Sequence, residues 1–195
     1  MSSKQLFDIK LLKADIYRLL AKCFDFPASE HLTTIRVLAD ALSQTDYPDT
    51  EIRRMVGTLA QVINSDEAVA SYSDIFIKGR VPLSETYTLQ KFNSVPDVSA
   101  FYNAFGFTPK SGDTPDSIMY ELEFMALLLV KTSTAPSESA GEICRNAYSN
   151  FLTEHLAEFS FKLAKRLRAT GTKSFYNTVS LLLERFMRQE VADYK

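Results

Sequence analysis

Apolar residues recur at three- and four-residue steps along most of the chain, the spacing that places them on one face of an α-helix. Leu6, Ile9, Leu12, Ile16, Leu20 and Cys23 trace a first amphipathic helix, capped by Ser2 or Ser3 and stopped by Pro27. A second starts near Ser29 and is lined by Ile35, Leu38, Ala39 and Leu42. The turn signal Asp46-Tyr47-Pro48-Asp49 separates it from a third, lined by Ile52, Met55, Val56, Leu59 and Ile63. Asn64-Ser65-Asp66 breaks the pattern, and a short helix is expected from Glu67 to Phe76, ended by Lys78-Gly79-Arg80-Val81-Pro82.

The run from Leu83 to Val95 keeps no period and is expected to be an ordered loop with one turn of helix at most, a kind of segment that often carries function. Asp97 to Phe105 resumes the helical pattern, closed by Gly106. The stretch from Thr114 to Leu129 then reads as a proline-opened helix with Pro115 at its first position. It is apolar nearly all round and therefore belongs deep inside the molecule. Its acids, Asp116, Glu121 and Glu123, fall in the first turns, where the dipole favours anions, so a carboxylate-rich mouth is expected there. After the break at Thr134 to Ser139, the period holds to Thr170 and implies a rod of about 45 Å. Gly171 ends it, and Phe175 to Val191 supplies the last helix.

These elements predict an all-α fold, a single-domain bundle of about eight to ten helices over residues 1–195. Composition agrees: 46% of residues are apolar, while seven prolines and six glycines are too few for the turns of an all-β chain. A net charge of -2 gives no general attraction for nucleic acid. The basic stretch Lys162, Lys165, Arg166, Arg168 and Lys173 is read as a solvated face that complements a helix dipole. No apolar run reaches the roughly 18 residues a membrane span needs, and no leader pattern opens the chain. Cys23 and Cys144 form no close pair and are expected to be reduced, in keeping with a cytoplasmic protein.

Phosphate-loop, dinucleotide, zinc-protease and nucleophile-elbow motifs are all absent, and only His31 and His155 are available as histidine bases or ligands. Glu154 and His155 point about 100° apart on a helix and cannot share one ligand site. His155 is read as a packed or capping residue, with a place in a binding groove as the alternative. Glu121 and Glu123 also diverge, so they share no catalytic proton. Glu121 is expected to pair internally with a basic residue, leaving Asp116 and Glu123 near solvent. Their role is either dipole matching or recognition of a cationic partner, since carboxylates hold guanidinium groups bidentately. Fourteen Phe and nine Tyr are mostly core, but Tyr72, Phe76, Tyr87, Phe92, Tyr102 and Tyr120 flank loops and helix starts.

The order of motifs resembles the TorD/DmsD/NarJ family of cytoplasmic chaperones for molybdenum-containing redox enzymes. Ile16-Tyr17-Arg18-Leu19-Leu20-Ala21 with Phe24 and Pro27 is similar to its first helix. Tyr72-Ser73-Asp74-Ile75-Phe76-Ile77-Lys78-Gly79 with Pro82, Glu85 and Tyr87 resembles its segment leading to a proline-containing loop. Pro115-Asp116-Ser117 followed by Glu121-Leu122-Glu123-Phe124-Met125 resembles its most diagnostic run. Phe151-Leu152-Thr153-Glu154-His155-Leu156 matches its Phe-Leu-x-x-His-Leu element. Ser117 stands where the family commonly has histidine, and Phe159 near a frequent tryptophan, so no role of that histidine carries over.

The resemblance implies a TorD-like bundle without catalytic activity or a resident cofactor. It implies binding of the twin-arginine leader, or N-terminal segment, of an apo-molybdopterin oxidoreductase before export. Asp116, Glu123 and Glu85 would take the arginines, and Tyr72, Phe76, Pro82 and Tyr87 the apolar half, with Ser117, Glu121 and His155 as neighbours. These groups are expected to share one surface cleft. The competing reading is a helical sensor that binds a small ligand or nucleotide. The oligomeric state is read as monomer or as a homodimer swapped through the loop at 132–139.

Overall fold

Helix α1 (Ser3–Phe24) buries Ile16, Tyr17, Leu19, Leu20, Cys23 and Phe24, the inward positions of its heptad-like stripe. The computed structural model describes residues 3–172 and 174–194, with side chains from residue 9 onward. The Leu6 position, the Ser2 or Ser3 cap and Lys173 lie outside that description. Helix α2 (Ser29–Ser43) and α3 (Thr50–Gln61) follow, and α3 is started by Asp49, whose side chain accepts from the amides of Glu51 and Ile52. Asn64 caps α4 (Ser65–Tyr72) by accepting from Glu67 N, so the polar break read in the sequence is itself a helix start.

A single π turn, Ser73–Ile77, continues α4, and α5 (Glu85–Leu89) is the one helical turn inside the unpatterned segment. Helix α6 (Ser94–Phe105) ends at Gly106, whose φ of 68° is the left-handed conformation that glycine adopts freely. Helix α7 (Ile118–Ser133) is buried on nearly every side and packs along α1 and against α8 (Glu138–Phe151). A second π turn, Leu152–Leu156, joins α8 to α9 (Ala157–Ala169) with helical dihedrals on both sides, so the long rod exists and carries one π turn. Helix α10 (Phe175–Asp193) lies against α9 and α3 and buries Phe175, Val179, Leu182, Leu183 and Phe186. The described residues thus form an all-α bundle of ten helices.

One boundary and one facing differ from expectation. Helix α7 starts at Ile118 with Ser117 as its N-cap, so Pro115 and Asp116 precede the helix and do not form its first turn. Asp116 is committed elsewhere, as described below. Ile143, an apolar residue within the periodic stretch that ends at Thr170, is 60% exposed on α8.

The core is one hydrophobic cluster spanning all the long helices. Phe124 of α7 stands at its centre, with the rings of Tyr102, Phe105, Phe107 and Phe151 at centroid distances between 4.9 and 6.0 Å. A polar knot ties α1 to α8 and α10 in the same core. The Tyr17 and Tyr148 hydroxyls, 2.8 Å apart, both donate toward buried Glu190, while Lys13 Nζ lies 2.6 Å from Glu190 Oε1 and from Asp193 Oδ2. A buried carboxylate is tolerable there because a cation and two donors meet it. Phe124→Ala, which removes a ring that the cluster cannot refill, is expected to cost about 3–5 kcal/mol, read as a lowered urea midpoint with an unchanged slope.

Candidate functional site

A five-residue helix is far too short to persist alone, so α5 must be held from outside. Gly79 (φ 71°) turns the chain out of the first π turn, and residues 81–91 then cross the molecule as a strap. The strap is stitched to the segment before α7 by two backbone bonds, Glu85 N to Asp116 O at 2.8 Å and Ile118 N to Leu83 O at 2.9 Å. Asp116 adds its side chain: Oδ2 accepts from Ser84 Oγ at 2.7 Å and from Thr86 N at 2.9 Å. The N-terminus of α5 is therefore capped by a carboxylate from a distant part of the chain, and Asp116 is fully buried. This corrects its expected place near solvent. Its carboxylate satisfies a helix end, which takes it out of the surface.

The far side of α5 is fixed by charge. Glu85 is fully buried, with Oε2 3.0 Å from His155 Nδ1 and Oε1 3.2 Å from Lys91 Nζ. Burial alone would raise the Glu85 carboxyl, but His155 and Lys91 outweigh it and leave it below its ordinary value. His155 sits in the second π turn, where Ala157 N reaches back five residues to Leu152 O. That wider turn presents Leu152, His155 and Leu156 inward, and Lys91 Nζ donates to the carbonyl of Glu154 within it at 2.9 Å. The rings of Phe101 and Phe151 lie against the imidazole at 5.7 and 5.0 Å. Arg166 NH2 donates to Thr88 O at 3.2 Å and closes the strap's end.

Glu121 lies behind this layer. It is fully buried and both carboxyl oxygens lack a hydrogen-bond partner. Burial pushes its carboxyl well above the usual range, and Glu85 and Asp116 push the same way against a smaller pull from Lys91. The internal basic partner expected for Glu121 is not found. The buried Tyr102 hydroxyl, itself raised by burial and by Glu121, donates to Pro115 O at 3.1 Å.

Glu85, Asp116, Ser117 and His155 are thus joined through direct contacts, with Glu121 within their field and Pro82 adjoining, its carbonyl accepting from Thr88. Tyr87 projects outward from α5 at 72% exposure, and Phe92 beyond it at 85%. Tyr72 and Phe76 belong to a different neighbourhood. They pack on each other, on Phe24 and Phe26 at the end of α1, and on Tyr176. Glu123 is half-buried near Arg18, Lys22, Asp25 and Lys110, and it lines a groove of about 360 Å³ with Arg18, Lys22 and Leu127. Among the described residues no hydrogen bond, ion pair or ring pair links Tyr72, Phe76 or Glu123 to the α5 cluster; their partners lie near the end of α1, so the single cleft resolves into two regions. Tyr102 and Tyr120 are core residues.

Lys91, Ser84, Thr86 and Arg166 carry contacts that no motif marked. Only the lack of period in Leu83 to Val95 drew attention to the first three. Among the described residues, no cluster of His, Cys, Asp and Glu could hold a metal ion, and no helix is long and apolar enough to cross a membrane. Both cysteines are free and buried.

The sequence pattern of the family described as nitrate reductase delta subunit matches residues 45–165, more than half of the chain and all of the α5 site but Arg166. The chain is similar to two proteins named chaperone protein TorD, from two strains of Vibrio cholerae. They are 22% and 21% identical over 94% of this chain and 93% of each relative. Its fold is similar to the crystal structure of a candidate redox enzyme maturation protein from Archaeoglobus fulgidus. There the TM-score is 0.59 at 16% identity, covering 90% of this chain and 93% of that one.

Asp116→Ala strips α5 of its cap and is expected to destabilise the fold by about 2 kcal/mol, measured by urea denaturation. Glu121 generates a pH dependence. Between the ordinary carboxyl value of 4.5 and its own raised value, the folded chain holds a proton that the unfolded chain has released. Stability therefore falls as pH rises through that interval, by up to about 1.4 kcal/mol per pH unit. Glu121→Gln is expected to remove this slope, seen in melting temperatures recorded from pH 5 upward.

Proposed function

The chain belongs to the nitrate reductase delta subunit family, the TorD/NarJ group of redox-enzyme maturation chaperones, and from that premise we propose that it binds a basic, partly apolar segment of its client. The segment is the twin-arginine leader or N-terminal stretch of an apo-molybdoenzyme of the DMSO, TMAO or nitrate reductase type. Bound in the cytoplasm, the client is held for cofactor insertion and assembly before export.

The observation that carries this reading is the layering at α5. Three carboxyls, Glu85, Asp116 and Glu121, lie beneath it, and the Tyr87 ring stands exposed on its outer side. Carboxylates select guanidinium groups by geometry as well as charge, and an exposed aromatic rim suits an apolar stretch that turns helical on binding. Tyr72, Phe76 and half-buried Glu123 offer a second aromatic and acidic surface near the end of α1. The role is non-enzymatic in this reading: His155, the buried one of the two histidines, bonds to Glu85 and lies against the rings of Phe101 and Phe151.

Titration calorimetry with a twin-arginine leader peptide and its twin-lysine counterpart tests the proposal. The arginine peptide is expected to bind about tenfold more tightly, and Tyr87→Ala to weaken it several-fold. Equal affinities, or no heat from either peptide, would overturn it.

A further inference from the structure

Buried carboxyls under α5 outnumber the cations that reach them. Glu85 is met by Lys91 and His155, and Asp116 by hydroxyl and amide donors. Glu121, without exposure, is met by nothing. Asp116 Oδ1 and the hydroxyl of Thr86, whose amide Asp116 caps, are also buried and unpartnered. The charged and titratable groups facing Glu121 are Glu85 of α5, Asp116 ahead of α7, Lys91 after α5 and Tyr102 of α6, while His155 of the π turn reaches Glu85. None of them bonds to it. An orphaned carboxyl is one of the costlier features a core can keep, since an unpartnered buried polar group costs a kilocalorie or more per mole.

We propose that Glu85, Asp116 and Glu121 form a latent guanidinium site beneath the α5 strap, filled when an arginine of the bound peptide takes the place of Lys91. The inference rests on the leader-binding reading and adds where the arginine goes and what it displaces. Lys91 is suited to be displaced: its side chain is 36% exposed, and it contacts the site through one carboxylate oxygen and one backbone carbonyl. A guanidinium carries five donors in a plane where an ammonium is a point charge, so it can bridge Glu85 and Glu121 together. The strap that must lift is fastened by the polar bonds of Asp116, Glu85, Lys91 and Arg166, which water or peptide groups can replace. It is also held by Val81, Leu83 and Leu89 packed on the core, which the apolar part of a bound peptide would have to cover.

Proton release follows from the geometry. With a guanidinium alongside, Glu121 ionises: its O–H bond breaks, the proton passes to the buffer, and the carboxylate accepts N–H bonds from the peptide. Binding is thereby coupled to loss of about one proton per peptide, and affinity rises with pH while Glu121 titrates.

The test is calorimetric titration of the full chain with a synthetic peptide bearing a twin-arginine pair and an apolar segment. Buffers of different ionisation enthalpy at one pH count the protons released. The wild type is expected to release about one proton, Glu121→Gln close to none with roughly tenfold weaker binding, and Lys91→Met to bind several-fold more tightly. Binding by the wild type without proton release, or equal release by Glu121→Gln, would overturn the latent site and leave the leader-binding reading standing. An absence of binding would overturn both. Should Glu121→Gln fail to fold by circular dichroism, the wild-type affinity decides, because a profile flat with pH contradicts the proposal.

Discussion

Asp116 is the residue on which the arrangement of the site depends. Its carbonyl and carboxylate bind three groups of the strap, and through them the shortest helix of the molecule is fixed to the start of the most buried one. Burying a carboxylate is costly unless donors replace its water, and the helix end supplies them. The same bonds set the position of Glu85, and Glu85 in turn draws His155 inward from the π turn and Lys91 across from the surface.

The outcome is a site that is closed yet electrostatically unfinished. Most of the core follows the rule that buried polar groups are paired, as the knot around Glu190 illustrates, where one cation and two tyrosines meet one carboxylate. Beneath α5 the count differs, because Glu121 is buried with no hydrogen-bond partner on either carboxyl oxygen. Real proteins keep such inconsistencies where function requires them. On the proposed reading, in which the chain holds a basic segment and later lets it go, a carboxyl left unpartnered until the segment's charge arrives would give a physical basis for reversible capture.

The fold was largely legible in the sequence, because period carried it. The buried character of α7 and the inward face of α10 follow from the spacing of apolar residues alone, and the Gly106 and Gly171 stops from glycine's freedom at positive φ. Boundaries failed where tertiary bonds competed with local preference. Thr114-Pro115-Asp116 reads as a helix start by every local rule, but the strap claims Asp116 and moves the start to Ile118. The site was legible as a set of residue types and not as an arrangement. Asp116, Glu85 and His155 do meet, but Tyr72, Phe76 and Glu123 lie in a separate region. Lys91 was invisible because its partner, Glu85, lies in the one stretch without helical period, where sequence separation says nothing about facing. The π turn at His155 was equally hidden, since one extra residue in a helix leaves no mark in composition.

On the proposal made above, the strap covers carboxyls which the client's cations occupy. Amide hydrogen exchange at Thr86, whose N–H is held by Asp116, measured with and without a twin-arginine peptide, tests it most directly. Saturating peptide is expected to speed exchange at Thr86 and Glu85 while amides within α7 stay protected. Unchanged or slower exchange at both strap amides in the complex would contradict it, because the strap would then remain closed while the peptide is bound.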